Sequence, residues 1–86
     1  DTMYFRKGRT YKLNLDDSLS GHPFWIQTTD NGGEWDENND ITSGISRNGA
    51  NSGTITYTVP SDAPSTLYYR CQFHGGMGGQ INIVSV

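Results

Sequence analysis

The chain has 86 residues, with nine Asp and Glu against six Lys and Arg for a net charge of −3, which fits a single domain over residues 1–86 with a modest core. A hydrophobic content of 33%, with three Phe, two Trp and five Tyr, argues against both a disordered and a membrane-inserted chain. The mildly acidic balance gives no electrostatic case for nucleic acid, and a single cysteine excludes an internal disulfide framework.

In chain order, residues 3–7 (MYFRK) read as a strand, Gly8 as a turn, and Tyr11, Leu13 and Leu15 alternate in the next strand. Arg6, Lys7, Arg9 and Lys12 cluster here. Ordinary solvated charge accounts for them, and a docking patch for an acidic partner is the functional alternative. Residues 16–21 (DDSLSG) read as a loop, after which HPFWIQTT begins a strand with Phe24 and Ile26 on one face and Trp25 and Gln27 on the other. Residues 29–40 carry Asp30, Glu34, Asp36, Glu37 and Asp40 with no basic residue between them. The spacing is not that of a calcium loop, and a Gly/Asn-rich loop promises no apolar pocket to separate two carboxyl pKa values. A solvated loop is the plain reading, and an acidic patch steering a cationic partner is the functional one.

Ile41 and Ile45 frame a short strand segment, and residues 47–53 form a turn cluster. GTITYTVP alternates cleanly, with Ile55, Tyr57 and Val59 on one face, until Pro60 ends it. TLYYRC puts Leu67, Tyr69 and Cys71 on one face, so Cys71 is expected to point inward, and in QINIVSV Ile81 and Ile83 share a face. No segment has a helical period. About seven short strands separated by turn signals argue for an all-β sandwich or barrel.

Chemistry concentrates in CQFHGGMGG, which holds Cys71, His74 and Met77, while the second histidine, His22, lies far upstream in SGHPFWIQ. One thiolate, two imidazoles and one thioether form a blue-copper ligand set, His2Cys with a weak axial Met. Three soft ligands on one loop would be completed by His22 from elsewhere in the fold. Zinc could use the same residues, although a lone Cys with Met is an unusual zinc set. Nucleophilic Cys/His catalysis would need an oriented base and an oxyanion hole, which this spacing does not specify, so no enzyme is expected.

YYRCQFHGGMGG resembles the C-terminal ligand loop of the cupredoxins, the small blue-copper proteins, with the short amicyanin-like C-x2-H-x2-M spacing. SGHPFWIQ sits where that family's first histidine ligand sits. The resemblance covers nearly the whole chain and implies a cupredoxin-like Greek-key β-sandwich or barrel of seven to eight strands. It also implies one type 1 copper ion held by His22, Cys71, His74 and Met77, and one-electron transfer between redox partner proteins, with the edge of His74 as the electron port. Phe24, Trp25 and Phe73 would supply apolar docking surface nearby. A monomeric domain in an exported setting (periplasmic, lumenal or extracellular) is expected, and the start at Asp1 without an apolar leader suits a mature protein or an excised domain. Short cupredoxin-like domains also occur inside larger exported or virion proteins, where such a module binds copper or is purely structural.

The chain departs from the family beside the cysteine. Many members carry Asn after the first histidine, and its backbone N–H donates to the sulfur; Pro23 stands here and has no N–H. Short-loop relatives often carry Pro before the second histidine, whereas Phe73 retains its amide. The expectation is that the Phe73 N–H donates to the Cys71 sulfur and partly replaces the missing donor. Gly75, Gly76, Gly78 and Gly79 flank Met77 and are expected to allow a tight loop with positive φ; the functional addition is low bulk around His74, which would leave its imidazole edge near solvent as an electron port.

Overall fold

The computed structural model describes residues 2–15, 23–30, 35–73 and 78–85. Seven strands lie among them: β1 (Met3–Arg6), β2 (Thr10–Leu15), β3 (Phe24–Gln27), β4 (Ile45–Ser46), β5 (Gly53–Thr58), β6 (Thr66–Cys71) and β7 (Gly78–Val84). They form a four-stranded sheet in the order β1-β7-β6-β3 and a three-stranded sheet in the order β2-β5-β4. Only β1 and β7 run parallel; the other neighbours are antiparallel. The architecture is the expected all-β sandwich. No helix among the described residues is long and apolar enough to cross a membrane.

Period-2 alternation builds the core. Phe5, Ile26, Leu67, Ile81 and Ile83 from the larger sheet meet Tyr57 and Val59 from β5 and its exit. Each fully buried side chain of this kind contributes about 1.5–3 kcal/mol against the cost of ordering the chain. At the β1–β2 corner, where the chain changes sheets, Phe5 stacks on Tyr11 with ring centroids 4.2 Å apart. The Tyr11 hydroxyl in turn accepts the Arg6 N–H at 2.7 Å.

Three features differ from the sequence expectation. First, β3 and β6 bury both faces: Ile26 and Gln27 are both fully enclosed, and the neighbours Arg70 and Cys71 are buried as well. The cover comes from the acidic stretch, which is not simply a solvated loop. Its described residues, 29–30 and 35–40, include a 3-10 turn (Glu37–Asn39) whose first turn Asp36 caps by accepting the Asn38 N–H, and Asp40 bridges to Gln27.

Second, the segment between Ile41 and Ile45 contributes only the two-residue β4. Asn48, from the expected turn cluster, closes the free edge of β3 instead, accepting the Ile26 N–H at 2.9 Å and donating to the Ile26 carbonyl at 3.1 Å. An open edge would otherwise invite pairing with another chain.

Third, the last strand begins at Gly78 rather than Gln80, with Gly78 opposite Arg70 and Gly79 opposite Tyr69. Gly78 has no positive φ. A Cβ there would collide with the Tyr69 carbonyl oxygen and the Arg70 guanidinium, so the residue is glycine because two strands approach closely, not because a loop turns.

Candidate metal centre

Cys71 is the last residue of β6. Alternation from Leu67 through Tyr69 directs its side chain between the sheets, and it is only 7% exposed. Its cross-strand partner is Phe24. One step further, the Gln72 N–H donates to the Pro23 carbonyl at 2.9 Å, extending the β3/β6 pairing past the end of the strand. The chain leaves β6 after Cys71 and returns at Gly78, opposite Arg70. The segment 72–77 is therefore the connection of a β6–β7 hairpin, rooted in two hydrogen-bonded strands.

Of the four expected ligands, only Cys71 lies among the described residues; His22, His74 and Met77 lie outside them. The described residues next to them in sequence are brought together. Pro23, which follows His22, is bonded to Gln72; Phe73 precedes His74; Gly78, which follows Met77, pairs with Arg70. All three flank Cys71 at one end of the larger sheet. Among the described residues, no group of three or more His, Cys, Asp or Glu side chains is placed to hold a metal. By chemistry alone, a donor set of one thiol, two imidazoles and a thioether suits copper; of it the structure describes the buried Cys71.

The aromatic residues around Cys71 divide between the two faces of the sheet. Phe24 turns inward and stacks on Tyr69, centroids 5.6 Å apart. Trp25 turns outward and packs against Trp35 at 5.3 Å, and its indole N–H donates to the Gln72 side-chain carbonyl at 2.9 Å. Neither is a free docking surface. Phe73 is 65% exposed.

Behind Cys71, on the opposite face of β6, Arg70 is 6% exposed and forms an ion pair with Asp30. Gln27 is also buried and donates to the Asp36 carbonyl at 2.7 Å and to Asp40 Oδ1 at 3.1 Å. Asp40 further accepts the Trp35 indole N–H at 2.9 Å. Its carboxyl is pushed above the ordinary range, first by burial and then by the charges of Glu37 and Asp36, while the bonds from Trp35 and Gln27 pull it back. Among the described carboxylates of the acidic stretch, Asp30, Asp36 and Asp40 are thus engaged within the molecule. Sequence reasoning passed over the burial of Arg70 and Gln27, because a polar residue in a strand reads as outward and wet, and nothing local announces the segment that covers it.

The chain matches no protein-family model and no curated protein.

Proposed function

We propose that this chain is a type 1 copper-binding electron-transfer domain, with His22, Cys71, His74 and Met77 as the ligand set. The observation that carries the reading is the position of Cys71, buried at the root of the β6–β7 hairpin with Pro23 and Gly78 on either side. Bound copper would supply a one-electron Cu(I)/Cu(II) couple, accepting an electron from a reduced partner protein and passing it to an oxidised one. Thiolate and thioether favour Cu(I), imidazole serves both states, and the mixture supports cycling between them.

The chain's own residues do the rest. Paired strands on either side of Cys71 fix the thiolate at a set depth, and such fixed placement reduces rearrangement between oxidation states. Phe24, the cross-strand partner of Cys71, stacks on Tyr69 and so steadies the strand pairing beside the cysteine. Phe73 presents an apolar contact to a partner next to His74, the proposed electron port. Its backbone N–H is the proposed donor to the Cys71 sulfur; a copper-loaded crystal structure with that nitrogen beyond ~3.8 Å of the sulfur would remove this detail.

One equivalent of Cu(II) added to the purified apo-protein, followed by visible and EPR spectra, tests the reading. An intense thiolate-to-copper absorption with a blue-copper EPR signal, lost in Cys71→Ser, is expected. A colourless protein whose ordinary tetragonal Cu(II) signal is unchanged by Cys71→Ser would overturn it and leave a structural β-sandwich module.

A further inference from the structure

We propose that Arg70, held by Asp30, is a positioning residue for the loop that carries Cys71, and that it sets the charge behind the sulfur. The inference rests on the copper reading above. Arg70 immediately precedes Cys71, and the two side chains leave β6 on opposite faces, Cys71 toward the core and Arg70 toward the outside. An outward Arg is normally wet, yet this one is buried. Its register partners are Trp25 on β3 and Gly78 on β7, and its guanidinium occupies the space that a Cβ on Gly78 would need. It therefore lies across the two strands at the point where the 72–77 connection leaves one and rejoins the other. Asp30, just beyond β3, anchors the guanidinium. One residue thus joins β6, the first residue of β7 and the segment after β3.

The bonding around Arg70 is incomplete, and that makes Asp30 decisive. Among the described residues Arg70 Nε is buried without a hydrogen-bond partner, and Asp30 and the packing over Gly78 are the contacts that hold the group. A buried cation whose partner is removed is strongly unfavourable. Compensation is also partial, because the Asp30 side chain is 52% exposed and its charge is screened by water more than that of Arg70. The residual positive field favours the state of lower positive charge at the adjacent site, which is Cu(I). Removing Arg70 should lower the reduction potential, and removing the Asp30 charge should raise it. A purely structural bracket would give no such opposite signs.

Amide hydrogen exchange on the apo-protein and the reduction potential of the copper-loaded protein test this together, using Arg70→Met, Arg70→Lys and Asp30→Asn. In Arg70→Met, exchange at the Gln72 amide and at the Arg70–Gly78 end of the β6/β7 pairing is expected to rise about tenfold or more, with the Leu67–Ile81 end unchanged. Its potential should fall. Arg70→Lys keeps the charge without the planar fork, so exchange should rise while the potential stays near wild type. Asp30→Asn should raise the potential; if that variant does not fold, Arg70→Met against Arg70→Lys supplies the charge comparison. Unchanged exchange at the loop ends in Arg70→Met, or potentials that move the same way in Arg70→Met and Asp30→Asn, would overturn the proposal. A wild-type protein that develops no blue-copper spectrum defeats the copper reading instead, and the exchange experiment still decides the clamp.

Discussion

Trp25 and Gln72 meet across β3 and β6, the indole N–H donating to the amide oxygen at 2.9 Å. The first residue of the candidate ligand loop is thereby tied to the outer face of the sheet, next to the strand whose last residue is Cys71. Gln72→Leu should leave the part-buried indole N–H without its acceptor and cost about 1–3 kcal/mol, read from the urea midpoint at unchanged m-value. Trp25→Phe removes donor and acceptor demand differently, leaving the Gln72 amide free to turn to water. If Gln72→Leu proves as stable as wild type, this bond does not hold the loop.

Gly49 and Gly8 separate backbone strain from steric contact. Both have positive φ, +93° and +83°, but a Cβ on Gly49 would enter the Trp25 ring whereas one on Gly8 meets nothing within 4 Å. Gly8→Ala should cost about 1 kcal/mol for the backbone alone. Gly49→Ala should cost clearly more, about 2–4 kcal/mol, because the Trp25–Trp35 pair must shift as well. Thermal or urea unfolding of the two variants checks the order, and equal losses would show that Trp25 yields at no cost.

Asp40 gives the fold a pH dependence of predictable sign. A carboxyl whose folded pKa lies above its ordinary value of 3.8 binds its proton more tightly in the folded state. Its favourable contribution is fully present below that value and is lost as pH rises through the raised one. Asp40→Asn retains an acceptor oxygen for Trp35 and Gln27 but carries no charge. Its stability relative to wild type should therefore improve as pH rises from about 3.8 and level off once Asp40 is ionised. Urea titrations of both proteins at several pH values provide the comparison. Parallel curves would mean that burial and the Glu37 and Asp36 charges leave no net effect.

On the proposed copper reading, the metal should stabilise the apo-protein by mass action, because a site assembled from separate segments exists only in the folded chain. With free metal at about a hundred times its dissociation constant, the expected gain is about 2.7 kcal/mol. It should appear as a higher midpoint in thermal unfolding and be reversed by a chelator. Cys71→Ser should lose most of this gain, and an equal gain in that variant would place the metal elsewhere.

The alternating runs in residues 10–15, 53–59 and 66–71 made the sandwich legible, because a strand's inward and outward positions follow from a two-residue period within the strand itself. Cys71 was legible as an inward residue for the same reason. The rest of the ligand loop was legible only as composition and spacing: Cys71, His74 and Met77 on one connection, His22 far away. Which strands flank that connection depends on pairing β6 with both β3 and β7, and the sequence order of strands does not specify it.

The sequence by itself therefore determined the fold class and the inward direction of Cys71, since side-chain type and period are local properties. Tertiary structure alone decided that Pro23 meets Gln72, that Gly78 is the point of closest approach between strands, and that Arg70 is buried against Asp30. An alternating strand specifies two faces but not what covers the second one. Here the cover comes from residues 35–40, which sequence alone presents as an acidic loop. Only their packing on β3 turns outward polar positions into a buried network behind the candidate site.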